Sequence, residues 1–355
     1  MPPGFEGSLY PAGATQARHP HTHTSLTGAA TGKWNVSYLQ AGLAGLPCTV
    51  YSSPTRHFQY WDADKNEAGY PLLQHERMAK LTMTVDEFIA RLNDSVDNAN
   101  ASCQAGAPEQ GWRYYLQTVL VDGVSSAMTD DFRGFDWGSL LAIQQRLGWG
   151  ELSSNLLLIG QKSNVTPTHY DEQQNLFAQL HGTKRVIMFP PQDVACLYPL
   201  PVHNPCDRQS QVDLYNPDLD RFPKFAQAQP LEARLNPGDV LYIPQYWWHH
   251  IENLSDECIS LNFWFKDQSK PQELILPLSP SQHLAMRRNV EKIVADILGA
   301  REAQRALPLL ASDSPPEVLQ PVHTKVMELL AHVMKVEQIH PWLGELADGR
   351  FNIDL

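Results

Sequence analysis

Between Leu152 and Lys266 the chain is a series of short apolar runs cut by Pro, Gly and Asn, with no long helical period between them. The runs are SNLLLIG, FAQLHG, KRVIMFP, LEARLN, DVLYIP, WWHHIEN and CISLNFWF. Runs this short cannot each close a helix of useful length, whereas strands of four to eight residues separated by turn signals pack well in two layers. The spacing therefore predicts an all-β sandwich or barrel as the core. The connection from Pro190 to Pro230 is polar, rich in proline and too long for an ordinary loop, which predicts a lid over a site.

The flanks read differently. Residues 1–33 are rich in Pro, Gly, Ala, Thr and His with little to bury, and are expected to form a disordered tail. His19, His21 and His23 alternate there, but a floppy segment must be ordered before it can grip a metal, so they read as an incidental polar tail. Residues 34–147 are expected to supply strands, at CTVYSS and HFQYWD, and helices. Thr84 and Glu87 have capping-box spacing ahead of Val85, Phe88, Ile89 and Leu92, and a second helix spans Trp137–Leu147. Residues 267–355 read as helical. Val290, Ile293, Val294, Ile297 and Leu298 form one stripe ended by Gly299, and Val322, Val326, Leu329, Leu330 and Val333 form another. Such stripes are core first and dimer seam second.

Composition narrows the function. A formal net charge of -12 disfavours nucleic acid and anionic lipid as partners, leaving peptides and small molecules. No apolar run reaches the length of a membrane span and the N-terminus has no signal-peptide order, so a cytoplasmic or nuclear protein is expected. Cys48, Cys103, Cys196, Cys206 and Cys258 are odd in number and form no C-x-x-C pair, which suits reduced thiols.

The chemistry starts at THYDEQQN. On an extended strand His169 and Asp171 share a face and Tyr170 points away, but a His-x-Asp triplet alone is more often a solvated turn. A third ligand is expected on a distant strand, and GDVLYIPQYWWHH ends in His249 and His250. Parity selects His249, because that choice sends Ile251 inward and Glu252 outward. Two histidines and one carboxylate leave three adjacent positions open on an octahedral metal, the arrangement of non-haem Fe(II) oxygenases. A dicarboxylate co-substrate such as 2-oxoglutarate then needs a buried cation, for which Lys184 is the natural candidate.

SNLLLIG, NVTPTHYDEQQN, FPPQDVACLYPLPVHNPCDRQSQVD, GDVLYIPQYWWHHIENL and LNFWFK together resemble the JmjC-type Fe(II)/2-oxoglutarate dioxygenases, and among these the protein asparaginyl hydroxylases. The resemblance is near-continuous from Gly148 to Lys266. It implies a mainly β fold, a cupin-like double-stranded β-helix or jelly roll spanning residues 148–266, with flanking helices and C-terminal helices that dimerise. It implies that His169, Asp171 and His249 hold iron, that Lys184, Thr166, Tyr115, Asn175 and Asn262 hold 2-oxoglutarate, and that Trp264 packs beside the metal. It also implies that Arg208, Gln209 and Gln117 contact the substrate. The activity so implied is hydroxylation of asparagine at its β-carbon in protein substrates, ankyrin-repeat proteins being candidates, using O2 and releasing succinate and CO2. N-methyl-lysine demethylation, or hydroxylation of another side chain, is the alternative. Taken one at a time these residues have plainer readings: Lys184 a surface strand lysine, Asp207 with Arg208 a loop ion pair, His203 and Cys206 loop packing. Their joint order and spacing favour the site, with His203 and Cys206 still read as loop packing.

Overall fold

A computed structural model describes residues 26–28, 30–62, 78–101, 112–120, 124–267, 278–312 and 314–347. The three tail histidines and Cys103 lie outside these residues. Residues 26–33 are not tail in the fold: Leu26, Thr27 and Ala30 are buried. They join a cluster of apolar side chains that also takes in Trp34 and Phe135, which gives this segment something to bury after all.

In chain order the elements are α1 (Ala30–Lys33), α2 (Val36–Gly42), β1 (Cys48–Ser53), β2 (Ala79–Met83), α3 (Val85–Ala101), β3 (Arg113–Thr118), α4 (Ser126–Arg133) and α5 (Trp137–Leu147). The core follows as β4 (Leu152–Gly160), β5 (Val165–Tyr170), β6 (Gln174–His181), β7 (Lys184–Phe189), β8 (Leu231–Leu235), β9 (Val240–Ile243), β10 (Trp248–Asn253) and β11 (Cys258–Phe265). Helices α6 (Pro280–Leu298), α7 (Ala300–Leu310), α8 (Gln320–Ala331) and α9 (Val336–Ala347) complete the described chain. No helix among the described residues is long and apolar enough to cross a membrane.

Local chemistry starts the helices where the sequence said it would. The Thr84 backbone N–H donates to Glu87 and the Glu87 backbone N–H donates to the Thr84 hydroxyl, closing the capping box ahead of α3. Asp136 caps α5 and Gly148 ends it in the left-handed region. The stretch HFQYWD is not a strand: His57 makes a single bridge to Val165, and the rest runs as irregular chain beside the core.

The strands form two antiparallel sheets, a cupin-type jelly roll. The larger has the order β2-β1-β3-β4-β11-β6-β9 and the smaller β5-β10-β7-β8. Alternation sorts their side chains. On β11, Ile259, Leu261, Phe263 and Phe265 face outward onto the helical layer, which leaves Ser260, Asn262 and Trp264 for the inner face. Between the sheets, Phe58, Tyr115, Leu158, Phe177, Val186 and Ile251 build the barrel core.

The connection 190–230 departs from the lid expected of it. It lies over the outer face of the smaller sheet, where Val194, Leu197, Tyr198, Val212, Leu214 and Phe222 cover Tyr170, Ile187, Phe189 and Trp248. It carries enough apolar side chains to form a core of its own, and so it is packed structure. Its one approach to the sheet interior is at residues 207–209, discussed below. The C-terminal helices bury Val290, Val294, Val322, Val326, Leu330 and Val333 against one another, while Ile297 and Leu329 stay exposed.

Candidate active site

β1, β3, β5, β11 and the loop segment 207–209 converge on one cavity of about 260 Å³, and His249 of β10 is not part of its wall. Among the residues expected to serve the site, Gln117, Thr166, His169, Asp171, Arg208, Gln209 and Trp264 line it, joined by Tyr51, Phe58, Tyr60, Met78, Pro167 and Asp207. His249 is paired directly opposite His169 in the β5–β10 ladder. Their rings are 4.2 Å apart between centroids, and one donor atom from each of His169, Asp171 and His249 lies within 4.8 Å of the other two.

The imidazoles are set for a metal. His169 Nδ1 is 2.9 Å from the Pro167 carbonyl and His249 Nδ1 is 3.0 Å from the Trp247 carbonyl. A carbonyl only accepts, so each Nδ1 carries a proton and each Nε2 is the nitrogen left to serve a metal. Burial, and then the neighbouring His249, pushes His169 down to about 4, so it is neutral at ordinary pH. Burial by itself would raise the Asp171 carboxyl. The nearby His169, His249 and Arg208 and the Trp264 N–H, which donates to Oδ2 at 3.3 Å, together hold it below the usual carboxylate range. Two imidazole nitrogens and one carboxylate form the donor set that suits Fe(II) with open positions.

His250 is on the other face. Its Nδ1 is 3.4 Å from the Thr168 hydroxyl and its Nε2 is 3.3 Å from Tyr215 OH, under the 190–230 connection.

Strict alternation would separate Thr166 from His169, since they are three residues apart. The β5–β10 register shifts between His249 and Ile251, whose partners are His169 and Thr166. Two residues of β10 thus span three of β5, and this bulge at Pro167–Thr168 brings both Thr166 and His169 onto the cavity wall.

Lys184 is fully buried but is not part of the cavity wall. Its Nζ donates to Tyr115 OH at 3.2 Å and to Ser260 Oγ at 2.9 Å. Burial lowers it to about 8. Tyr115 also hydrogen-bonds Thr166, which links the lysine to the cavity wall. Gly160, opposite Tyr115 in the ladder, makes room for that ring, because a Cβ there would sit 2.8 Å from it. Asn175, cross-strand from Trp264, and Asn262 are buried, and the Oδ1 of each lacks a hydrogen-bond partner. A lone buried cation and two unsatisfied amides fit a polar, anionic co-substrate such as 2-oxoglutarate.

At the cavity rim Arg208 Nη1 lies 3.9 Å from Asp171 Oδ1. Gln209 Nε2 donates to the Tyr60 carbonyl at 2.7 Å, while its Oε1 is buried without a hydrogen-bond partner. Asp207 is not the ion-pair partner of Arg208. It is engaged by Arg288 of α6, at 2.5 and 2.6 Å. Sequence reasoning missed Ser260, although it shares parity with Asn262 and Trp264. It also missed Tyr51, Phe58, Tyr60 and Arg288, which are remote in sequence and follow no period, and Glu172, which lies beside Asp171 but gives no local sign of its partner Arg288.

A family model described as a cupin-like domain matches residues 21–271. HSPB1-associated protein 1 of Rattus norvegicus is 39% identical over 189 residues, 52% of this chain and 37% of that protein. Lysine-specific demethylase 8 of Xenopus tropicalis is 31% identical over 242 residues, 66% of this chain and 44% of that protein. Lysine-specific demethylase JMJ30 of Arabidopsis thaliana is 36% identical over 124 residues, 35% of this chain and 28% of that protein. The chain thus spans less than half the length of these relatives, and none of the three is named as an asparaginyl hydroxylase.

Proposed function

Since the chain belongs to the cupin-like domain family, we propose that it is an Fe(II)- and 2-oxoglutarate-dependent dioxygenase that hydroxylates asparagine side chains in proteins. Fe(II) held by His169, Asp171 and His249 would supply the oxidising chemistry, converting 2-oxoglutarate and O2 to succinate and CO2 while one oxygen atom enters a substrate C–H bond. Lys184, with Tyr115, Thr166, Asn175 and Asn262, would orient the co-substrate, its ammonium balancing the far carboxylate. Tyr51, Phe58 and Trp264 give the cavity an aromatic wall.

The observation that carries the substrate assignment is the state of Gln209. Its amide nitrogen is held by one hydrogen bond to Tyr60, its bare Oε1 can receive a donor, and the Arg208 guanidinium beside it can serve an acceptor. A primary carboxamide supplies both from one planar group.

Demethylation of N-methyl-lysine is the second reading, favoured by the names of two relatives and by aromatic rings able to take up a methylammonium. Arg208 argues against it. A second cation at ~6 Å in an effective dielectric of about 20 is repelled by about 3 kcal/mol.

The test is mass spectrometry of asparagine-containing and methyl-lysine peptides incubated with the protein, Fe(II), ascorbate and 2-oxoglutarate. Addition of one oxygen atom to the asparagine β-carbon is expected. Loss of methyl groups with no oxygen on any asparagine would transfer the assignment to the second reading.

A further inference from the structure

Arg288 belongs to helix α6, far along the chain from the cavity, yet it holds both sides of the cavity rim. Its side chain is 8% exposed and its two terminal nitrogens donate to the two oxygens of Asp207, which is 2% exposed. Its Nε lies 2.9 Å from Glu172 Oε1. Asp207 immediately precedes Arg208 and Gln209, and Glu172 immediately follows Asp171. The guanidinium therefore joins the substrate-facing loop, through two hydrogen bonds to Asp207, to the turn that presents the carboxylate of the metal-competent trio, through an ion pair with Glu172 in which Nε makes no hydrogen bond.

Two further observations show what this clamp works against. Arg208 has φ +70°, the left-handed region in which a residue with a side chain is strained. A backbone in that state persists only when its neighbours are fixed. Asp207 is fixed by Arg288 on one side, and Gln209 by Tyr60 on the other. The segment is then laid along β5, with the Tyr170 N–H donating to the Arg208 carbonyl and the Ser210 N–H to the Thr168 carbonyl. One helical turn beyond Arg288, the buried Glu291 accepts the Val202 N–H, so a second charged side chain of α6 secures the same connection.

We propose that Arg288 is a positioning residue: by clamping Asp207 to Glu172 it holds Arg208 in its strained backbone state and keeps Arg208 and Gln209 in register with Asp171. Helix α6 is in this way part of the substrate-selecting apparatus without touching substrate. The role of Arg208 and Gln209 toward substrate rests on the reading above, whereas the backbone they occupy does not.

The experiment compares the full chain with Arg288→Met, Arg288→Lys and Glu172→Gln by hydrogen exchange and by steady-state kinetics. In Arg288→Met, exchange at the Tyr170 and Ser210 amides rises about tenfold or more while exchange along β11 is unchanged, as for a local opening. The KM for the asparagine peptide rises by about 10- to 100-fold, the range for a residue supporting those in direct contact, with the KM for 2-oxoglutarate and iron content unchanged. Arg288→Lys recovers part of both effects. Glu172→Gln keeps the Asp207 pair and gives a smaller change of the same kind, which preserves the test if Arg288→Met does not fold. Unchanged exchange at Tyr170 and Ser210 despite a lowered melting temperature would show Arg288 to be structural only and overturn the proposal. Equal shifts of both KM values would do the same. If the native chain turns over no asparagine peptide, the substrate reading fails, and the exchange data still decide the clamp.

Discussion

Lys184 is where stability and function pull apart most clearly. It is fully buried with no carboxylate partner among the described residues, and desolvation lowers it to about 8. Unfolded, a lysine binds its proton up to about 10.4, so between those two values the unfolded chain carries more protons than the folded one. The stability contributed at this position therefore rises as pH increases from about 8 to about 10.4 in the metal-free protein. Replacing Lys184 by Met should flatten that rise and increase the melting temperature at pH 7, because a costly buried charge is gone. It should also weaken 2-oxoglutarate binding by about 10- to 100-fold, from about 1.5–3 kcal/mol for a hydrogen bond to a charged group. Calorimetry of both steps checks this, and a Met variant that is less stable yet binds 2-oxoglutarate normally would remove Lys184 from the site. His250 gives the opposite pH window. Burial, and then His57, lowers it to about 3, while an unfolded histidine titrates near 6.5. On acidification below about 6.5 the unfolded chain takes up a proton that the folded one refuses, so stability falls at up to about 1.4 kcal/mol per pH unit. His250→Gln should shallow this slope without lowering iron content, whereas His249→Ala should abolish iron binding. Thermal melts across pH in chelator, together with metal analysis, distinguish the two histidines.

At the scale of elements, the two strands that face each other across Gly160 and Tyr115 control the lysine cluster. Gly160 is in a regular strand with no need of glycine's backbone freedom, and what it provides is space. A Cβ there would come within 2.8 Å of the Tyr115 ring and 2.7 Å of Asn253 Nδ2. Gly160→Ala should push Tyr115 off Lys184 and Thr166 at a cost of about 1–3 kcal/mol, the range for overpacking a core. The check is denaturant unfolding alongside 2-oxoglutarate titration. An unchanged midpoint would mean the ring has freedom that its packing against Phe58, with centroids 5.3 Å apart, does not suggest. The same scale shows why the strands were legible and one connection was not. Each strand carries its own alternation, as β11 does with Ile259, Leu261, Phe263 and Phe265 against Ser260, Asn262 and Trp264. The 190–230 connection has no period, and the apolar residues that make it a packed layer are scattered among its prolines.

For the molecule as a whole, the C-terminal helices are tied to the barrel by charge as well as by apolar contact. Leu284 joins the apolar layer outside the smaller sheet, and Arg288 neutralises the buried Asp207. Truncation after residue 267 should therefore remove the Arg288 guanidinium from the buried Asp207, a loss of up to about 3–5 kcal/mol on the usual scale for a broken buried pair. The truncated chain is expected to melt well below the full one or to aggregate. An equal melting temperature would make the helical unit an independent appendage. Adding Asp207→Asn to the truncation should recover part of the loss, and this second variant separates the charge effect from lost apolar cover.

The sequence by itself determined the core strands, their faces, the capping of α3, the span of α5, and the grouping of His169, Asp171 and His249. All of these follow from a period of two or from side chains bonding to backbone a few residues away, and such interactions are local enough to leave a pattern in the sequence. Only the tertiary structure decided that Thr166 shares the cavity with His169, because the bulge in β5 breaks the parity on which alternation depends. It also decided that Asp207 answers to Arg288 and not to its neighbour Arg208, and that Leu26 and Ala30 are core. Those outcomes depend on which distant surface comes to lie against a segment once the sheets and helices have packed. Sequence spacing carries no information about that.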